Sequence, residues 1–187
     1  LPIQWHLFIT SGLALIIGGY LLWGLVPAPK RADDHQGDVP RIAFPTWGLA
    51  PLCLIGMAAF LVEGAGVDWS AIYMRDVFSS VPFIAGLGLT LFGFFMAVVR
   101  LTIDPVVARF GSRRVATVLL AIAALGTLLV GYATTEWMAL CGFTLLGIGA
   151  SAVYPLAVSA AAQRTDRPAA VNVAALGQVT FVIFFLG

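Results

Sequence analysis

Residues Val77–Val99, VFSSVPFIAGLGLTLFGFFMAVV, run for 23 positions without a charged side chain. A helix rises 1.5 Å per residue, so about 20 such residues cross a hydrocarbon core about 30 Å thick. Strands that cross a membrane are about half as long and alternate apolar with polar residues. This run does neither, so it reads as a membrane helix. Five more charge-free runs flank it: Trp5–Val26, Thr46–Val62, Val115–Thr135, Trp137–Gln163 and Pro168–Gly187. Together they predict an all-α membrane protein with about six transmembrane helices.

Composition agrees. Of 187 residues, 60% are hydrophobic and 10% charged, with a mean hydropathy of +0.99. Soluble domains carry about 25% charged residues, so the bilayer is the expected solvent. A net charge of +1 gives no basic field for nucleic acid. Cys53 and Cys141 lie in different apolar runs and read as free, small core residues. His6 and His35 stand near no cysteine, and no metal-ligand spacing or cofactor motif occurs. The paired carboxylates or His-rich faces of a membrane-embedded enzyme are missing too. The chain starts at Leu1, without a charged n-region, and stops at Gly187 in an apolar run. Both ends are expected to be cut from a longer protein.

The one long hydrophilic stretch is Pro27–Pro45, PAPKRADDHQGDVPRIAFP, with four prolines and mixed charge. It reads as a solvated linker between helix one and a group of five. Basic residues alternate from loop to loop. Lys30, Arg31 and Arg41, then Arg109, Arg113 and Arg114, then Arg164 and Arg167 fall on one side; Arg75 falls on the other. The basic loops are expected to be cytoplasmic.

Ionisable residues at membrane depth are costly and each needs a reason. Glu63 follows a 17-residue apolar run in AAFLVEGAGVDWSAIYMRD. Gly64-Ala65-Gly66 is a poor helix former, so the helix should loosen there and resume through Asp68–Asp76. Loosened helices lining a cavity are where transporters place binding groups. Desolvation disfavours a charged carboxylate, which makes Glu63 the candidate to carry a coupling proton. The plainer alternative is an interfacial carboxylate at a helix end. Asp68 and Arg75, seven apart, share a helical face two turns from each other. Trp69 and Tyr73 form an aromatic edge, either an interfacial belt or a platform for a polar ligand such as a sugar. Asn172 and Gln178 are polar positions in the last helix, about 120° apart at 100° per residue. They read as interhelical packing or, for Asn172, as a cavity contact. Pro155 lies inside the fifth run, frees a backbone carbonyl and should kink the helix. Small residues there, Gly142, Gly147, Gly149, Ala150 and Ser151, suit close helix packing.

Arg100 and Asp104 are spaced i, i+4, and Pro105 should end the helix at Asp104. Beyond it comes Ala108-Arg109-Phe110-Gly111-Ser112-Arg113-Arg114, with a tight turn at Gly111. This Arg-Phe-Gly-x-Arg-Arg loop resembles the Gly-x-x-x-Asp-Arg-x-Gly-Arg-Arg signature of the major facilitator superfamily. Arg109, Gly111 and Arg113 match; Ala108 replaces the acidic residue, and Asp104 stands where the first glycine is expected. GIGASAVYP resembles that family's Gly-rich, Pro-kinked tenth helix, and EGAGVDWSAIYMRD a bacterial inner-membrane branch distantly similar to fucose-type sugar permeases.

The resemblance implies a truncated major-facilitator bundle covering helices six to eleven. Residues 1–26 would be the last helix of the N-terminal half, 27–45 the cytoplasmic linker, and 46–187 the C-terminal half without its final helix. It further implies secondary transport of a small solute across the lipid bilayer by alternating access, coupled to a proton or ion. Glu63 is then the coupling candidate, Asp68, Trp69, Tyr73 and Asn172 the cavity candidates. Arg100, Asp104, Arg109, Gly111 and Arg113 form a cytoplasmic gate. The rival expectations are a non-transporting receptor of the same fold and a drug efflux antiporter.

Overall fold

The computed structural model describes residues 3–24 and 43–186. Most of the expected linker, with Lys30, Arg31, His35 and Arg41, lies outside the described residues, as does the side chain of His6. The chain divides into two compact units, Leu1–Asp38 and Val39–Gly187. In the first, α1 (Ile3–Gly24) is a single helix that exposes apolar side chains such as Leu15 and Ile16.

The second unit contains α2 (Ala50–Gly64), α3 (Ser70–Phe78), α4 (Pro82–Phe110), α5 (Ser112–Gly131), α6 (Glu136–Ala150), α7 (Val153–Ala162) and α8 (Ala169–Leu186). No strand occurs among the described residues. Four rods are long and apolar enough to cross a membrane: Ala50–Phe78, Pro82–Phe110, Ser112–Gly131 and Glu136–Ala162. Shorter apolar helical stretches are Phe8–Tyr20 and Ala169–Val182. This is a multi-pass helical membrane bundle, as the charge-free runs required.

The loosening expected at Gly64–Gly66 takes a specific form. Ala65–Trp69 make a single π-helical turn joining α2 to α3 without interrupting the rod. Such turns admit one extra residue per turn and widen the helix. Gly66 lies in it, and a Cβ there would overlap the Phe92 ring of α4. On the other side of Phe92, Gly147 of α6 meets the Phe92 backbone carbonyl. The fully buried Phe92 therefore sits between three closely approaching rods. Around it Met74, Ala85, Met96, Phe143 and Leu146 form one core. A second core joins α2, α7 and α8 through Leu49, Cys53, Ala157 and Leu176.

Two expectations need correction. Pro105 does not end α4, which runs on to Phe110. The hydrogen bond that Pro105 cannot make falls near the end of the rod, beside Leu101, which is 84% exposed. There a freed carbonyl costs little, whereas mid-helix it would force a kink. The rod stops instead at Gly111, whose φ of 84° and ψ of 146° belong to a region only glycine occupies easily. That glycine alone turns α4 into α5. Cys53 is buried as expected, but Cys141 lies on the exposed face of α6; both are free thiols.

Candidate functional site

Once the π-helical turn carries α2 into α3, Glu63 is no longer a helix-end residue. It stands 13 residues from Ala50 and 15 from Phe78, in the middle of a 29-residue rod. Arg100 stands 10 residues from the end of the adjacent α4 rod. At 1.5 Å per residue the two lie about 20 and 15 Å from the ends on the same side. Their side chains meet: Arg100 Nη2 is 3.3 Å from Glu63 Oε2 and 3.5 Å from Oε1.

Arg100 is fixed from a third rod. Pro155 has no N–H, so the Ser151 carbonyl four residues earlier has no helical partner. The α6–α7 rod breaks there, with Ala152 at φ −120°, ψ 0°. Arg100 Nε donates to the Ser151 carbonyl at 2.7 Å. The expected kink and freed carbonyl are both present, but the group that takes the carbonyl is an arginine 51 residues away. The pairing of Arg100 with Asp104 suggested by spacing does not form. Asp104 is exposed and makes no ion pair among the described residues. Arg109 and Arg113 are exposed as well, and the Arg109 guanidinium lies 5.5 Å from the Phe110 ring centre.

Trp69 and Tyr73 line an apolar cleft of about 380 Å³ between α2–α3, α5 and α6. Phe143, Val62 and Leu146 line it too. The Tyr73 hydroxyl donates to the Val130 carbonyl at 2.7 Å, and the Thr127 hydroxyl to the Ala123 carbonyl at 3.0 Å. Both hydroxyls at its edge are thus already used, and apart from the Trp69 indole N–H the lining side chains offer an apolar surface. Asp68 is exposed and does not line this cleft; Arg75 pairs with its neighbour Asp76 at 2.6 Å.

Asn172 is brought to a different place. It is 1% exposed at the start of α8, and its Nδ2 donates to Asp166 Oδ1 at 3.1 Å. Asp166 also receives Arg164 through two bonds of 3.1 Å and the Thr46 hydroxyl at 3.1 Å. Arg164 reaches the Gly48 carbonyl at 2.8 Å, and Arg167 the Phe44 carbonyl at 2.9 Å. Gln178 Oε1 accepts from the Ala43 N–H at 2.9 Å. The loop between α7 and α8 thereby clamps the segment leading into α2. Hydrogen bonding from Arg164 first, then from Asn172 and Thr46, holds the Asp166 carboxyl well below the usual carboxylate range. Sequence spacing read Arg164 and Arg167 only as cytoplasmic charge; the acid between them was the signal that could have found this clamp.

The bundle joins kinked and loosened rods, with an ion pair well inside two of them. An uncharacterized transporter of Sinorhizobium fredii is 34% identical over all 187 residues, which make up 49% of that protein. An uncharacterized MFS-type transporter of Yersinia pestis is 29% identical over 84% of the chain and 41% of the relative. One of Escherichia coli is 32% identical over 78% of the chain and 36% of the relative. The chain thus spans less than half the length of these relatives. Over most of its length it is a homologue of major-facilitator-type transporters. No protein-family model matches it, and no solved structure does.

Proposed function

We propose that this chain forms part of a secondary transporter that moves a small solute across a bacterial inner membrane by alternating access. Residues 1–26 end one helical half, 27–45 link the halves on the cytoplasmic side, and 46–187 belong to the second half. Glu63 carries the coupling proton. Arg100, Asp104, Arg109, Gly111 and Arg113 contribute to the cytoplasmic gate.

The observation that carries this reading is the Glu63–Arg100 pair, well inside two membrane-length rods. An ion pair at that depth is expensive and marks a pathway or relay. Its 3.3 Å separation, against about 2.7–2.9 Å for tight charge-assisted bonds, leaves the carboxylate loosely held. The homology to transporters supports the same reading.

The test uses the whole transporter in liposomes containing a pH-sensitive dye. Solutes are first screened by thermal shift across sugars, polyols, amino acids, nucleosides and amphipathic cations, since a ligand of the native state raises its melting point. The solute that shifts it is then added outside. Symport acidifies the lumen, and Glu63→Gln is expected to abolish that signal; an unchanged signal in this variant removes Glu63 from the reading. The apolar cleft at Trp69 and Tyr73 favours a second reading, antiport of an amphipathic solute. In that case the lumen turns alkaline instead.

A further inference from the structure

Three structural facts meet at the Arg100 guanidinium. The Ser151 carbonyl is orphaned by Pro155, and Ser151 is fully buried. A buried, unpaired carbonyl is costly, so a donor is required, and Arg100 Nε supplies it at 2.7 Å. The remaining face of the guanidinium is turned to Glu63 at 3.3 and 3.5 Å. One bond is short, the other long. The long one goes to Glu63, the proposed coupling residue.

The surroundings leave Arg100 as the principal partner of Glu63. On its own rod, Asp68 is exposed, five residues on. On α4, Asp104 is exposed, one turn beyond Arg100. On α7, the Tyr154 ring packs on Phe60 at 4.7 Å, one turn before Glu63. On α6 the titratable groups are Glu136, which accepts from the Ser80 hydroxyl at 2.6 Å, and the exposed Cys141. The described part of α8 contains no titratable side chain.

We propose that Arg100 is a positioning residue that ties the charge of Glu63 to the break in the α6–α7 rod at Ser151. This rests on the reading of Glu63 as the coupling residue. With Glu63 charged, one guanidinium is shared between α2 and the broken rod, and the two are held in register. With Glu63 neutral, the carboxylate no longer draws on the guanidinium, and α7 is free to swing about Ala152 relative to α2. A proton can shift a conformational equilibrium only through a difference in interaction between the two states. Arg100 provides that difference, and Pro155 provides the carbonyl through which it is passed on.

The experiment measures spin-label distances in the whole transporter, with Cys53 and Cys141 replaced by alanine. Labels go on Ser159 of α7 and Val118 of α5, both exposed. The parent is expected to show a distance distribution that shifts between pH 8 and pH 5. Glu63→Gln should hold the low-pH distribution at both values. Arg100→Gln should lose the shift. Pro155→Ala restores an N–H that competes for the Ser151 carbonyl, and should lose the shift while leaving both charged residues in place. This last variant keeps the proposal testable if Arg100→Gln does not fold. A parent without a shift overturns the proposal, and so does a Pro155→Ala variant that shifts like the parent. If Glu63→Gln abolishes proton movement in liposomes while Pro155→Ala keeps the shift, the proton reading stands and the Arg100 link falls. If Glu63→Gln still moves protons, the underlying reading itself falls.

Discussion

The Glu63–Arg100 junction and the loop clamp at Asp166 use the same three parts: an arginine, a carboxylate and a backbone carbonyl. Arg100 holds Glu63 and the Ser151 carbonyl; Arg164 holds Asp166 and the Gly48 carbonyl. The difference lies in saturation. Asp166 receives two bonds from Arg164, one from Thr46 and one from Asn172. Glu63 receives one long contact pair from a single nitrogen. A carboxylate with its acceptor positions filled fixes geometry; the under-filled one is the residue proposed to carry the proton. On the proposed reading, the clamp is the part of the molecule that holds still and the Glu63–Arg100 junction the part that switches.

The strongest way to break the clamp is Asn172→Asp, which sets a second carboxylate beside Asp166 in a buried position. Loss of the monodisperse peak in size-exclusion chromatography is expected. Asn172→Ala is milder and is expected to cost about 1–3 kcal/mol through the lost bond to Asp166, read as a lower thermal midpoint. Neither result would be expected if Asn172 were chiefly a solute contact, since solute affinity would then fall while the midpoint held. Gly111→Ala forces an L side chain into glycine territory and is expected to cost about 1–3 kcal/mol.

The two junctions also differ in their expected response to pH. The folded Asp166 carboxyl is held below its unfolded value, so its stabilisation is present above that unfolded value, about 4. It is lost as pH falls through the lower, folded value. The difference in thermal midpoint between the parent and Asp166→Asn is therefore expected to stay level from pH 8 to pH 5 and to shrink only below about pH 4. A difference that shrank already between pH 7 and pH 5 would contradict the saturated picture. The smallest effect belongs to Asp104→Asn. Asp104 is exposed and without an ion pair among the described residues, so its stability change is expected within about 0.5 kcal/mol. The gate role proposed for it should show as altered cysteine accessibility on the two sides of the membrane.

Much of the fold was legible because membrane helices are written in charge-free runs. The loosening at Gly64–Gly66, the turn at Gly111 and the kink ahead of Pro155 each follow from the backbone preference of one or two residues. The site was less legible because its bonds join residues far apart in sequence. Glu63 and Arg100 are 37 positions apart, and local spacing pointed Arg100 to Asp104 instead. Pro105 misled for a related reason: its local cost depends on where in the rod it falls, and that is set by Gly111. Asn172 read as either packing or cavity because a polar residue in an apolar helix does not name its partner, here an aspartate in the preceding loop.

The measurement closest to the central claim is dye-reported proton movement in liposomes carrying the whole transporter, as parent, Glu63→Gln and Asn172→Ala. The expected result is a solute-driven proton signal in the parent, none in Glu63→Gln, and a parent-like signal per folded molecule in Asn172→Ala. A Glu63→Gln variant that moves protons like the parent would contradict the account.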